Sequence, residues 1–185
     1  MFHDIFLAVW FFAPAGVANV TPILVAKVPL IRHWEAPIDG GRTFRGTRIL
    51  GAHKTWRGFI AGIFFATLTL GLQQVLVAHT AWVAALTTSI DYARLPTLIV
   101  GALFGIGALG GDAIESFFKR QWHIPPGHGW FPFDQTDYII GGALATAPYV
   151  RLHILQYIWL LVLWLLVHLV ASYIGFRLHL KDRPI

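Results

Sequence analysis

From Gly58 to Ile90 the chain runs for 33 residues without an aspartate, glutamate, lysine or arginine. A helix needs only about 20 apolar residues to cross the hydrocarbon core of a bilayer. The interior of a soluble domain has no use for an uncharged stretch of that length. Composition agrees: 56% of the residues are hydrophobic and 12% charged, against roughly 25% charged in a soluble domain. A soluble globular domain and a disordered chain are both excluded. The expected fold class is an all-α polytopic integral membrane protein, with residues 1–185 forming one membrane-embedded domain.

Four segments read as spans: Ile5–Ala26, Gly58–His79, Leu95–Gly111 and Leu152–Phe176. A fifth, Tyr138–Val150, is uncharged over 13 residues, roughly 20 Å of helix, which is marginal. The basic residues decide it. Lys27, Arg32, Arg42, Arg45, Arg48, Lys54 and Arg57 lie between the first two spans, and only Arg94 lies between the second and third. If Tyr138–Val150 crosses, twelve basic residues fall on one side and two on the other; if it does not, the bias drops to ten against four. The positive-inside rule therefore predicts about five crossings, with the N-terminus outside and the C-terminus cytoplasmic. Met1–Asp4 lacks the basic stretch of a signal peptide, so the first span is expected to be retained. Trp34, Trp56, Trp82, Trp122 and Trp130 fall near span edges, as interfacial anchors do. The Gly101-x3-Gly105 and Gly107-x3-Gly111 spacings predict a third helix packed closely on its neighbours.

The absence of cysteine removes thiol nucleophiles, disulfides and Fe–S clusters from consideration. The net charge of +5 marks a membrane side and gives no reason to expect nucleic acid. Ionisable residues are nearly missing from the spans, which argues against a proton relay or channel. The polar chemistry is confined to two expected cytoplasmic loops, 28–57 and 112–137.

In the second loop Asp112, Ser116 and Lys119 stand at i, i+4 and i+7, on one face if the third helix continues. Glu115 and Lys119 form an i, i+4 pair of the kind seen on solvated helix ends. Pro125-Pro126-Gly127-His128-Gly129 predicts a rigid turn. Asp134 and Asp137 follow, and either cap the next helix or join Asp112 around a hard divalent cation such as Mg²⁺. The first loop is glycine-rich and basic, suited to phosphate or to anionic lipid headgroups. Asn19, near the end of the first span, is either packing glue or a contact to a headgroup or nucleotide. His168, inside the last span, is expected to be an interhelical hydrogen-bonder.

Several ordered motifs resemble a known family. Ser116-x-x-Lys119-Arg120, Pro126-Gly127-His128-Gly129 and Asp134-x-x-Asp137 resemble the signature of the CTP-dependent phosphatidate cytidylyltransferase superfamily. Its short branch, the CDP-archaeol synthase family, is the closer match. That branch is similar in length, in the Pro-Ile-Asp-Gly-Gly-x-Thr-x-Arg-Gly run at Pro37–Gly46, and in the His-Lys-Thr-x-Arg-Gly run at His53–Gly58. Asn19-x-x-Pro22 and Pro-Phe-Asp-Gln-x-Asp ending at Asp137 also match. Gln135 stands where the broader superfamily has arginine, and His128 where the archaeal branch often has aspartate.

The resemblance implies transfer of a cytidylyl group from CTP to a membrane lipid phosphate, either 2,3-di-O-geranylgeranylglyceryl phosphate or phosphatidic acid. It implies Asp112, Asp134 and Asp137 as Mg²⁺ ligands, one or two ions, with Lys119 also catalytic. Lys54, Arg57, Arg120 and His128 would bind phosphates or headgroup, and Asn19, Thr55 and Ser116 would supply neutral hydrogen bonds. The expected location is the cytoplasmic membrane, with the site facing the cytoplasm; the sequence leaves a homodimer open. The competing expectations are a non-enzymatic binder of anionic lipid and a lipid phosphatase that ignores CTP.

Overall fold

The computed structural model describes residues 2–125 and 128–178. The motif residues Pro126 and Gly127, and the tail residues Lys181 and Arg183 counted for orientation, lie outside the described residues. Helix α1 (Phe2–Val25) is followed by a two-residue hairpin, β1 (Thr43–Phe44) and β2 (Thr47–Arg48), and then by α2 (Trp56–His79). A short α3 (Ala81–Leu86) and a 3₁₀ turn at Tyr92–Arg94 lead into α4 (Thr97–Gln121), α5 (Phe133–Thr146) and α6 (Ile154–Arg177). Among the described residues four helices are long and apolar enough to cross a membrane, α1, α2, α4 and α6. The fold is that of a multi-pass membrane protein.

Two segments differ from the sequence expectation. The helix of the third span does not stop at Gly111 but runs on to Gln121, so residues 112–121 are helix and not loop. Glu115, Ser116 and Lys119 are buried along this extension, and Lys119 and Arg120 in its last turn suit the negative end of the helix dipole. The next helix covers 133–146 instead of 138–150. It ends before Pro148, whose ring disfavours helix at the preceding residue. Its N-cap is Pro132 and not Asp134; Asp134 lies in the first turn, where its charge favours the helix start.

Helix directions follow from the close contacts. A methyl group at Gly58 would meet Pro22 and one at Gly62 would meet the Ala18 carbonyl, so α1 and α2 are antiparallel. Gly101 against Thr67 and Gly105 against Ile63 make α2 and α4 antiparallel. On the other face of α4, Gly107 abuts Gly141 and Ala145, and Gly111 abuts the Asp137 carbonyl. Hence α4 and α5 are antiparallel with their backbones touching, as small-residue helix interfaces allow. Gln156 Nε2 donates to Asp4 Oδ1 and Trp164 packs on Gly16, so α6 runs parallel to α1.

The core lies where α1 meets α4, α5 and α6. Phe12 has no exposed surface and contacts the rings of Phe104 (5.9 Å), Tyr138 (6.3 Å) and Trp164 (5.6 Å). Its ring occupies the space a side chain would need at Gly142. These aromatic contacts, edge-on to Phe104 and Trp164 and tilted to Tyr138, fix α5 and α6 against α1, and so fix what α5 carries at its first turns.

Candidate functional site

The α4–α5 contact brings the acids together. Because Gly111 has no side chain, the Asp137 backbone lies directly on α4 beside Asp112. Asp112 and Glu115 are at i and i+3, neighbours on one helix surface. Each of Asp112, Glu115 and Asp137 offers a carboxylate oxygen within 4.8 Å of the other two. Glu115 is buried, and its Oε1 has no hydrogen-bond partner; the nearest cation, Lys119 Nζ, is 3.6 Å away. Three hard oxygen donors converging with a buried oxygen unbonded fit a divalent cation such as Mg²⁺.

Asp134 lies against Glu115 and is held by Lys119. Lys119 Nζ donates to both of its oxygens at 2.7 and 3.0 Å, and the Trp130 backbone N–H donates to Oδ2 at 2.8 Å. The sequence expectation grouped Asp134 with Asp112 and Asp137. The structure draws Asp134 to Lys119 and puts Glu115 in the carboxylate trio. The Asp112–Glu115 spacing was visible in the sequence, but the adjacent Glu115–Lys119 pair offered a simpler reading.

Thr55 starts α2: its Oγ1 accepts from the Gly58 N–H at 3.3 Å, an N-cap bond. This fixes Lys54 one residue earlier, and Lys54 Nζ donates to Asp112 Oδ2 at 2.5 Å. Burial favours the neutral amine at Lys54, but the Asp112 charge and hydrogen bond outweigh it and hold its pKa above the ordinary lysine value. Arg57 is buried, and its Nη1 donates to the carbonyls of Ile31 (3.1 Å) and Arg32. It therefore pins the turn after α1.

The intervening hairpin is held by Asp39, which accepts from Arg48 Nη2 (2.8 Å) and from the N–H groups of Gly41 and Leu50 (both 2.9 Å). Burial raises the Asp39 pKa, but these donors more than offset it, leaving the carboxyl below its ordinary range. Arg45 and Gly46 form the hairpin tip with positive φ of 51° and 79°, a conformation open to glycine and strained for most residues.

A cavity of about 780 Å³ opens at this end of the bundle. Of the expected site residues, Asn19, Lys54, Thr55, Arg57, Asp112 and Asp134 line it. Asp137 and Lys119 stand behind that wall, in contact with the acids. Ser116 is buried on α4 and His128 is exposed; neither lines the cavity, and nor does Arg120, whose buried Nε has no hydrogen-bond partner. The cavity also has walls the sequence did not single out for the site, including Arg48, His53, Gln135 and, from α6, His168 and Ser172. Charge of both signs therefore meets at one cavity: Lys27, Arg48, Lys54 and Arg57 line it together with Asp112 and Asp134.

Comparisons with known proteins give the family. The family described as CarS-like, CDP-archaeol synthase, matches residues 1–185. A CDP-archaeol synthase of Thermococcus kodakarensis is 36% identical over 183 residues, covering 98% of this chain and 96% of its own. That of Pyrococcus furiosus is 32% identical over 184 residues, covering 98% and 99%. A solved structure, described as an intramembrane enzyme for archaeal membrane lipids biosynthesis, is similar with a TM-score of 0.67 at 27% identity, covering 89% of this chain and 92% of that one. With matches that run from end to end, the chain belongs to the CDP-archaeol synthase family.

Proposed function

We propose that this chain is a CTP-dependent cytidylyltransferase: CTP and a membrane lipid phosphate react to give a CDP-lipid and pyrophosphate. The relatives' name favours an ether-linked lipid phosphate over phosphatidic acid. The observation that carries the proposal is the carboxylate trio beside Lys54, whose Asp112 lines a cavity that extends between helices.

A lipid phosphate is largely ionised at neutral pH, its second pKa being about 6, so no strong general base is needed. A lipid phosphate oxygen attacks the α-phosphorus of CTP. The new P–O bond forms as the bond to the bridging α–β oxygen breaks, and pyrophosphate leaves with that electron pair. Lys54, with Arg48 and Lys27 on the same cavity, neutralises the two polyanions as they approach. Asp134 and Glu115 hold the Lys119 ammonium at the acid cluster. Asp112, Glu115 and Asp137 would hold a divalent cation, which when bound would supply charge stabilisation for the leaving pyrophosphate. The reading also takes α5 as a short fifth crossing and the site as cytoplasmic. It is supported by the parallel α1 and α6, which require the chain to return across the bundle after α4, and by the basic residues at the site end.

The test uses purified protein, α-labelled CTP, Mg²⁺ and two lipid phosphates, one geranylgeranyl ether and one diacyl. Label in the organic phase with the ether lipid is the expected result. Label with the diacyl lipid alone would make phosphatidic acid the substrate. No label from folded protein with either lipid would overturn the enzyme reading and favour a lipid-binding protein.

A further inference from the structure

The inward face of α6 changes character along its length. Leu160, Trp164, His168 and Ser172 recur at four-residue steps, which places them on one face. Leu160 and Trp164 are core: they are 1% and 8% exposed, and Trp164 packs on Gly16 and donates from Nε1 to the Ala8 carbonyl at 3.1 Å. One turn further on, the same face becomes polar, and there His168 and Ser172 line the cavity that also reaches Asp112 and Lys54. Asn19 of α1 lines it too. His168 lies nine residues before the end of α6 at Arg177, roughly 13 Å along the helix axis. His168 is therefore inside the apolar part of the bundle, with Ser172 one turn nearer the helix end.

One cavity thus joins charged groups on its α2 and α4 side to neutral hydrogen-bonding groups on α1 and α6. A lipid phosphate has the same order of chemistry: a dianion, then the glycerol with its two ether or ester oxygens, then hydrocarbon. The phosphate needs the cations and the chains need apolar helix surface. The layer between them needs neutral donors at a fixed depth, because linkage oxygens accept hydrogen bonds and carry no charge.

We propose that His168 and Ser172, together with Asn19, seat the glycerol linkage of the lipid substrate and set the depth at which its phosphate meets CTP. The identity of the lipid rests on the cytidylyltransferase reading; the seat itself rests on the cavity. His168 and Ser172 are positioning residues here, and they act on the lipid and not on the nucleotide.

The experiment measures two quantities in detergent-solubilised wild-type protein and in His168→Leu, Ser172→Ala and His168→Gln. The first is the affinity for the geranylgeranyl ether phosphate without CTP; the second is the pair of KM values during turnover. His168→Leu and Ser172→Ala should each weaken lipid binding about tenfold, as loss of one hydrogen bond does. Their lipid KM should rise in step while the CTP KM does not move, and His168→Gln, which keeps a donor, should recover most of the loss. Unchanged lipid affinity in both variants, or a CTP KM that rises as much as the lipid KM, would overturn the seat. Turnover by wild-type protein with unaltered lipid affinity in the variants would sink the seat and leave the enzyme reading standing. Seat-dependent lipid binding by a wild-type protein that makes no CDP-lipid would do the reverse.

Discussion

The two ends of the helix bundle solve the same problem differently. At the end away from the cavity, neutral side chains close the structure. Gln74 Nε2 donates to the Tyr92 and Leu95 carbonyls at 2.8 Å each, and its Oε1 accepts from Thr97 Oγ1. Nearby, Gln73 donates to the Trp10 carbonyl. At the cavity end, Lys54, Asp112, Glu115, Lys119, Asp134 and Asp137 crowd into one cluster in which Glu115 Oε1 is buried without a hydrogen bond. Neutral partners lock helices without charge, and the atoms left over there, Trp10 Nε1, Gln73 Oε1 and the Tyr92 hydroxyl, are buried but carry no charge. Like-charged carboxylates held within 4.8 Å repel, and they gain most from a ligand that brings positive charge. One end is built to stay shut and the other to be completed.

The sharpest way to break this contrast is to remove the charge. Asp137→Asn and Glu115→Gln should each lower turnover by about a thousandfold, the scale of losing a key electrostatic group, in protein that still elutes as folded. Asp134→Asn should resemble Lys119→Ala, since those two side chains hold each other. Turnover with α-labelled CTP reads all four. If Glu115→Gln is near normal while Asp134→Asn is inactive, the metal site is the one first read from the sequence and not the trio.

The next effect tests what assembles the charged end. Gly111→Ala forces a methyl group into the Asp137 carbonyl and should destabilise the protein by about 1–3 kcal/mol, as overpacking does, with turnover falling alongside. Gly110→Ala is the control: a methyl group there meets open space. Thermal unfolding in detergent should show Gly111→Ala melting early and Gly110→Ala unchanged or slightly raised, since alanine favours helix. Equal melting of the two would mean that the α4–α5 contact does not hold the site.

At the neutral end, Gln74→Leu should cost about 1–2 kcal/mol for the lost hydrogen bonds and leave the KM values for CTP and lipid unmoved. A shift in either KM would show that the two ends are coupled.

The smallest effect is pH-dependent. Asp39 has a lowered pKa in the folded protein. Its contribution is therefore fully present above the unfolded carboxylate value of about 4 and is lost as pH falls through its lower folded value. Asp39→Asn should lower the melting temperature at neutral pH and narrow the gap from wild type under strong acid. A gap that stays constant with pH would remove the Asp39 charge from the account of the hairpin.

Much of this was legible without coordinates. The uncharged run Gly58–Ile90 requires a membrane, because burying so much apolar chain in a soluble domain of this size has no geometric solution. The glycine spacings of α4 announce close packing, since only a missing side chain lets two helix backbones touch. The motif order carries the family, and the charges of the two polar segments carry the phosphate chemistry. What the sequence does not determine is which partner each charge takes. Asp112, Glu115, Asp134 and Asp137 lie within 26 residues, and each spacing permits capping, pairing or metal binding. Gly111 against the Asp137 backbone decides it, by bringing one turn of α5 onto one turn of α4. Lys119 then takes Asp134, and Glu115 stands between that pair and the other two acids. Arg57 reads as a phosphate ligand in sequence; it lines the cavity and also clamps residues 31–32, a second task that only the fold reveals. His168 and Ser172 lie more than 30 residues beyond the motifs, and they join the site only because α6 packs parallel to α1. Periodicity and charge are local properties that a sequence records; convergence depends on which helix faces which, and packing alone sets that.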